Sequence, residues 1–272
     1  MISKLLEFLE EDLGKGDITT SSVIPTDKVV EAEVVAKESG ILAGLEEVEL
    51  LLEHFQLEWT PQSRDGDDIL EGDVILRIKG RAAKILTMER LMLNLLMRMS
   101  GIATATRELV KRCEGYGVDV AGTRKTTPGL RILEKKAIVI GGGKPHRMRL
   151  DEAVLIKDNH LAVVGIEEAI KRAKKKHPRG KIEVEVSSLE QAVKACKLGV
   201  GIIMLDNLEV DESGRIFREL EDSGLRKQVE IELSGGITLE NVEEYAKLRP
   251  DVISTGYPTT KAKWLDMSLR IT

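Results

Sequence analysis

Residues 181–207, KIEVEVSSLEQAVKACKLGVGIIMLDN, hold a strand, a helix and a second strand in direct succession. The two β-branched runs, 181–186 and 201–205, have the length of strands in a buried sheet. Between them, Ser188 and Gln191 have the spacing of a capping box at the start of a helix. A strand–helix–strand unit of this size predicts two parallel strands joined by a crossover helix.

The same unit recurs through the second part of the chain, from residue 118 onwards. Strand-like runs lie at 118–121, 153–156, 181–186, 201–205, 229–233 and 251–254, and helical patterns at about 164–177, 188–198, 209–222 and 238–248. Repeated units of this kind predict a parallel α/β sheet, and the lack of a dinucleotide-binding glycine fingerprint favours a barrel over an open sheet. Because only six strands are clear, the pattern allows a barrel of fewer than eight strands or an open one.

The first hundred residues follow a different pattern, typical of a small α+β layer. Strands are predicted at 29–36 and 74–78, and helices at 2–12, at about 45–54 and at 84–100. The last of these helices is apolar almost all round, which predicts a buried helix. A polar stripe of Arg90, Asn94 and Arg98 runs along it at a spacing of four. The stripe fits either a partly exposed face or an interface or polar site.

Composition excludes several classes of protein. The chain of 272 residues is 42% apolar and predicts one large domain or two unequal ones. Its 46 acidic and 41 basic side chains give a net charge of −5, which argues against a general nucleic-acid binder. No stretch is long and apolar enough to span a membrane, and no signal peptide is visible, so we expect a cytoplasmic protein. Two distant cysteines predict neither a disulfide framework nor a cysteine zinc site.

Polar residues follow every strand of the predicted barrel. They are Thr123, Arg124 and Lys125 after the first strand, Lys157 to His160 after the second, Glu183 and Glu185 on the third, Asp206 after the fourth, Ser234 to Gly236 after the fifth, and Thr255 and Gly256 after the sixth. Because the active sites of α/β barrels lie at the carboxyl ends of the strands, these segments converge on one mouth. Their convergence predicts an enzyme.

Cations dominate one part of this predicted mouth. Arg124, Lys125, His146, Arg147 and Lys157 are positive or can become so, and the histidine follows a run of three glycines. Arginine grips carboxylates and phosphates with two parallel hydrogen bonds, and lysine supplies a point charge. Any one of these residues could form a surface salt bridge instead, but the set as a whole predicts a substrate with several negative charges.

Two glycine-containing turns and two carboxylates complete the candidate site. Ser234-Gly235-Gly236 and Thr255-Gly256 follow the last two strands, where barrels commonly bind phosphate. Glu185 and Asp206 could bind ribose hydroxyls, hold Mg²⁺ through water, or stabilise a developing positive charge. Glu183 points to the same side of its strand as Glu185, and the pattern does not decide which of the two is functional.

These residues lie in stretches that resemble the quinolinate phosphoribosyltransferases, and the resemblance runs nearly end to end. The matching stretches are EDLGKGDITT (11–20), TRKTTPGLR (123–131), GGGKPHR (141–147), LIKDNH (155–160), EVEVSSLEQ (183–191), IIMLDN (202–207), SGGI (234–237) and LDMSL (265–269), together with the ER, LN and MRMSGIATAT segments within 89–106. The resemblance implies an α/β protein: an N-terminal α/β sandwich of residues 1–103, joined by residues from about 260 to 272, and an incomplete, seven-stranded parallel α/β barrel of residues 104–259.

The resemblance also implies an activity. Such an enzyme transfers the 5-phosphoribosyl group from phosphoribosyl pyrophosphate to quinolinate with decarboxylation, giving nicotinate mononucleotide, CO₂ and pyrophosphate for NAD biosynthesis. It uses Mg²⁺ and forms homodimers with shared active sites, with further assembly as far as a hexamer. For quinolinate, the resemblance implies Arg124, His146, Arg147 and Lys157, with Arg90 contributed by the partner subunit. Lys125 and Thr123 are implied to lie beside both substrates, Glu185 and Asp206 to bind the phosphoribosyl group and the metal, and Ser234, Gly235, Gly236, Thr255 and Gly256 to bind phosphate. The implied catalytic residues are Lys125, Lys157, Glu185 and Asp206.

Three positions depart from the usual family pattern. Gly122 stands where aspartate is common, Pro145 where asparagine is common, and residues 257–261 read YPTTK in place of Ala-Leu-Thr-His-Ser. A related branch linked to molybdenum transport departs at residues 157–160, which this chain keeps, so the biosynthetic reading is favoured. Two other hypotheses remain: an aldolase-type barrel with Lys157 as a Schiff-base amine, and a binding paralogue without catalysis.

Overall fold

The computed structural model describes residues 1–272, which form two compact units. The first contains residues 1–105, 139–141 and 262–272, and the second contains 106–138 and 142–261. The helices are α1 (Ile2–Leu13), α2 (Ile18–Val23), α3 (Leu45–His54), α4 (Ala82–Cys113), α5 (Arg131–Ile140), α6 (Asp158–Val164), α7 (Ile166–Lys176), α8 (Leu189–Lys197), α9 (Val210–Asp222), α10 (Val242–Ala246) and α11 (Tyr257–Thr260). The strands are β1 (Val29–Ala36), β2 (Gly40–Ile41), β3 (Glu58–Pro61), β4 (Asp68–Ile69), β5 (Val74–Arg81), β6 (Asp119–Ala121), β7 (Val154–Ile156), β8 (Ile182–Val186), β9 (Ile202–Asp206), β10 (Glu230–Ser234), β11 (Val252–Ser254) and β12 (Met267–Ile271).

An antiparallel sheet of four strands, in the order β12-β1-β5-β3, organises the first unit. The last strand of the chain, β12, pairs with β1, with Val34 opposite Leu269. The C-terminal segment reaches this sheet by passing close to α4 at Gly101, where a Cβ atom would lie 2.0 Å from the carbonyl oxygen of Lys263. Glycine is therefore required at this crossing, because any side chain would collide with main-chain atoms.

The buried helix predicted at 84–100 is present but longer, since α4 extends from Ala82 to Cys113. Its apolar stripe continues past Gly101, with Ile102, Leu109 and Cys113 all buried, and this accounts for the extra turns. On the predicted polar stripe, Arg90 is exposed, whereas Asn94 and Arg98 are half-buried.

The second unit is built on a parallel sheet in the order β6-β11-β10-β9-β8-β7. Beyond β6, Lys144 adds a single parallel bridge to Ala121: its N–H donates to the Val120 carbonyl at 2.7 Å, and its carbonyl accepts from Gly122 at 2.9 Å. The chain order of these segments is that of a seven-stranded barrel whose second strand is reduced to one residue. Three glycines precede Lys144 and Pro145 follows it, and a proline cannot donate the next ladder hydrogen bond. The incomplete α/β barrel is thus confirmed.

The sequence patterns missed some elements of this unit. Helix α5 was not predicted because Glu134 and Lys135, two charged residues, are buried in it, so its core face does not look apolar. The helix predicted at 238–248 is confined to Val242–Ala246, because the preceding residues form a turn in which the Asn241 side chain accepts from the Thr238 N–H at 2.8 Å. No helix in the structure combines the length and apolar character needed to cross a lipid bilayer.

Candidate active site

A cluster of cations lies at the carboxyl-terminal edge of the parallel sheet. The positive charges of Arg147 and Lys157 both act to lower the pKa of Glu183. Burial, followed by the charge of Arg124, lowers the pKa of Arg147, so these groups lie within electrostatic reach of one another. Arg124 Nε is buried and has no hydrogen-bond partner in the protein. A buried, unpartnered guanidinium nitrogen is costly, and an anionic ligand would satisfy it.

His146 stands over two buried carboxylates. Its Nε2 lies 3.3 Å from Glu232 Oε2, and this hydrogen bond raises the pKa of His146 above its ordinary value. Glu183 completes the group: a ring nitrogen of His146 and one carboxylate oxygen of each glutamate lie within 4.8 Å of one another. Burial, followed by the charge of Glu232, raises the pKa of Glu183 to about 7. Sequence reasoning missed Glu232, although its strand repeats the alternating glutamates of Glu183 and Glu185.

These three residues could present ligands to a cation, and Oε1 of each glutamate is buried without a partner. The surrounding charge argues against one, because Arg147 and Lys157 already act on the same carboxylate. The cluster is better described as the buried counter-charge of the cationic site.

Glu185 occupies a different position from Glu183, although both lie on β8. Its Oε2 accepts a hydrogen bond from Lys157 Nζ at 2.5 Å. Glu185, Asp206 and Asp158, which lie on or directly after their strands as predicted, line a pocket of about 600 Å³. Carboxylate oxygens are the ligands that Mg²⁺ prefers, so the donor set of this pocket fits the metal that the sequence resemblance implies.

The two glycine-containing turns meet in a second pocket of about 180 Å³. It is lined by Thr123, Lys125, Ser234, Gly235, Gly236, Thr255 and Gly256, among others. Gly235 has a φ of +83°, and a Cβ there would lie 2.5 Å from the Asn207 nitrogen. The close approach of two loop backbones at this point requires glycine, and glycine turns of this kind commonly bind anions through main-chain N–H groups.

The segment 257–261 contacts the loop that contributes Lys125 to this pocket. Residues 257–260 form the short helix α11, and Thr259 Oγ1 donates to the main-chain carbonyl of Lys125 at 2.6 Å. Thr259 is the one residue of this segment that the usual family pattern also has, and its hydrogen bond ties the loop that carries Lys125 to the end of the last barrel strand. Arg90 belongs to the first unit, where it lies exposed on α4.

The sequence profile of the quinolinate phosphoribosyl transferase N-terminal domain matches residues 17–100, and that of the C-terminal domain matches residues 102–270. The chain belongs to the quinolinate phosphoribosyltransferase family. Within this family, it is 47% identical to a probable carboxylating nicotinate-nucleotide pyrophosphorylase of Archaeoglobus fulgidus, over 94% of this chain and 98% of the relative. It is 43% identical to the corresponding protein of Methanothermobacter thermautotrophicus, over 100% and 99%.

Solved structures of this family have the same fold. The nicotinate-nucleotide pyrophosphorylase of Ehrlichia chaffeensis superimposes with a TM-score of 0.95 at 32% identity, covering 100% of this chain and 98% of that one. Both the two-unit architecture and the incomplete barrel are therefore properties of a quinolinate phosphoribosyltransferase.

Proposed function

We propose that this quinolinate phosphoribosyltransferase transfers the 5-phosphoribosyl group of phosphoribosyl pyrophosphate to the ring nitrogen of quinolinate. Pyrophosphate leaves, the C2 carboxylate departs as CO₂, and nicotinate mononucleotide remains. The observation that supports this most is the cationic cluster with its buried, unpartnered Arg124 Nε. A substrate with two adjacent carboxylates matches a site with several positive groups and a free donor.

In this proposal, the quinolinate carboxylates bind to Arg124, His146, Arg147 and Lys157. Two arginine guanidinium groups can each hold a carboxylate through parallel hydrogen bonds, and the protonated His146 adds a third positive donor. Loss of CO₂ leaves the electron pair of the broken C–C bond at C2, where the ribosylated ring nitrogen and the surrounding cations offset its charge until C2 takes up a proton from water. The positive pocket therefore serves both binding and the decarboxylation step.

The ribosyl donor uses the two pockets beside this cluster. Main-chain N–H groups of the turns at Ser234–Gly236 and Thr255–Gly256 bind phosphate, and Lys125 stands between the two substrates. Glu185 and Asp206 face the ribosyl carbon, whose transition state carries positive charge that nearby carboxylates stabilise. The same two carboxylates would hold Mg²⁺, directly or through water or pyrophosphate, and the metal would neutralise charge on the leaving pyrophosphate.

The proposal also covers assembly and location. The active sites are shared within a homodimer, with assembly as far as a hexamer, and Arg90 of one subunit completes the site of the other. A dimer that combines Arg90→Ala with Lys157→Ala subunits should then recover activity at one of its two sites, whereas each variant alone is impaired at both. Absence of recovery in verified mixed dimers would reject the shared site. A cytoplasmic location stays a prediction.

A product assay tests the proposed reaction directly. The enzyme is mixed with Mg²⁺, phosphoribosyl pyrophosphate and either quinolinate or nicotinate, and CO₂ and mononucleotide are followed. Both products from quinolinate alone support the proposal, whereas a mononucleotide from nicotinate without CO₂ refutes the substrate. No product from either would favour a binding paralogue.

The aldolase alternative receives no support from Lys157. Its ammonium is engaged by the Glu185 carboxylate at 2.5 Å, and an ion-paired ammonium is a poor amine nucleophile. Borohydride in the presence of a carbonyl substrate would trap a Schiff base on Lys157 if that chemistry occurred, and we expect no adduct.

A further inference from the structure

Lys135 of α5 is among the most deeply buried side chains of the protein, with 1% of its surface exposed. Its ammonium donates to two main-chain carbonyls, that of Pro145 and that of Arg147, the latter at 3.3 Å. These carbonyls flank His146 on both sides. This buried lysine is thus bound to the segment that carries two of the proposed quinolinate ligands.

That segment needs to be held, because His146 has a φ of +54°. A residue with a Cβ is strained in this left-handed region and stays there only when its surroundings fix it. Lys135 fixes the main chain on either side of the residue, and Glu232 fixes its ring at 3.3 Å. Neither group belongs to the set of substrate ligands.

Lys135 acts together with two neighbours on the same face of α5. Arg131 donates to Thr126 Oγ1 at 3.0 Å and to the Met148 carbonyl at 3.1 Å. Glu134 accepts from the N–H of Thr127 at 3.0 Å and from its hydroxyl at 2.9 Å. Residues three and four apart lie on one helix face, so this face fixes both the loop after β6 and the loop that carries His146.

Burying the charge of Lys135 costs desolvation free energy. Burial, together with the positive charges of Arg131, Arg124 and Arg147, lowers its pKa to about 8, and the charge of Glu152 opposes this effect. Both of its hydrogen bonds go to neutral carbonyls and neither goes to a carboxylate. An apolar side chain of similar volume would avoid the desolvation penalty, so packing alone does not explain a lysine here.

We propose that Lys135 is a positioning residue for the dicarboxylate pocket: by binding the carbonyls on both sides of His146, it aims His146 and Arg147 at quinolinate without touching the substrate. The inference rests on the proposed function. It assigns the specificity for a dianionic acceptor partly to a buried helix face that lies behind the substrate ligands. The ribosyl donor, which binds at the glycine turns, should depend on Lys135 much less.

Steady-state kinetics of Lys135→Met and Lys135→Arg test this role, with Lys144→Met as the matched control. The methionine variant keeps the volume but loses the donors, so the KM for quinolinate should rise roughly tenfold or more with little change in that for phosphoribosyl pyrophosphate. The arginine variant keeps charge and donors and should recover most of the loss. Lys144 is exposed and paired with Asp119 at 3.4 Å, so removing its charge should leave both constants unchanged.

The pH profile gives a readout that a structural role would not move. In the wild type, the KM for quinolinate should rise above pH of about 8 as Lys135 loses its proton. In Lys135→Arg the part of this rise that belongs to Lys135 should disappear, because a guanidinium stays charged throughout the range, and only the contribution of His146 should remain. If Lys135→Met does not fold, the Lys135→Arg profile decides alone.

Each outcome separates this inference from the proposed function. If the wild type neither binds quinolinate in calorimetry nor converts it, the proposed function fails and takes this inference with it. If the wild type does both, two results would overturn the positioning role: equal changes in both Michaelis constants of a folded Lys135→Met, or an unchanged alkaline rise in Lys135→Arg.

Discussion

Glu232→Gln is the substitution that tests the buried counter-charge most directly. Glutamine preserves the shape of the side chain and can still accept a hydrogen bond from His146, so the change removes mainly a negative charge. His146 and Glu232 are 17% and 4% exposed, so solvent screens this interaction little. Because the hydrogen bond to Glu232 is the largest cause of the raised pKa of His146, the substitution should lower that pKa.

The magnitude follows from the type of hydrogen bond that is lost. A bond to a charged group contributes about 1.5–3 kcal/mol and a neutral one about 0.5–1.5 kcal/mol, which leaves a difference of about 1–1.5 kcal/mol, or roughly tenfold at most in the protonation equilibrium of His146. Glu183 lies in the same cluster and becomes easier to ionise once Glu232 is neutral, so tenfold is an upper value.

The assay is the KM for quinolinate measured from acid to alkaline pH in wild type and variant. At low pH, His146 is protonated in both proteins, and the ratio of the two constants should approach one. As pH rises through the lowered pKa of the variant, its pocket loses a positive charge first, and the ratio should climb towards about ten. Ionisation of the substrate itself cancels in the ratio. A ratio independent of pH, or an equal change in the KM for phosphoribosyl pyrophosphate, would refute the counter-charge role.

Two further predictions concern the substrate ligands and the phosphate turn. Arg147→Ala or Lys157→Ala should raise the KM for quinolinate roughly ten- to a hundredfold more than that for phosphoribosyl pyrophosphate, and equal effects on both substrates would count against the assignment. Gly235→Ala should raise the KM for the ribosyl donor and lower stability by about 1–3 kcal/mol, because its Cβ would lie 2.5 Å from the Asn207 nitrogen. Gly224→Ala is the control, since Gly224 has a similar φ of +71° and nothing within 4 Å, and a melting temperature equally lowered in both variants would show that the collision is unimportant.

Local sequence patterns predicted the sheet of the second unit well. Every predicted strand lies within one or two residues of its observed position, because short β-branched runs between helical patterns have few other solutions in a buried parallel sheet. The reduced seventh strand escaped prediction, since one bridging residue between glycines and a proline carries no periodic signal.

The sequence by itself determined the barrel class, the polar strand ends and the identity of the cations, because period and residue type are local properties of the chain. Only the tertiary structure decided which carboxylate interacts with which cationic side chain. Glu185 pairs with Lys157, whereas Glu183 and Glu232 cluster with His146. The tertiary structure also turned Lys135, which looks like an ordinary helical lysine in the sequence, into the support of the His146 segment. Burial and long-range pairing arise only when distant segments pack together, and these two properties set the charge of each group in the site.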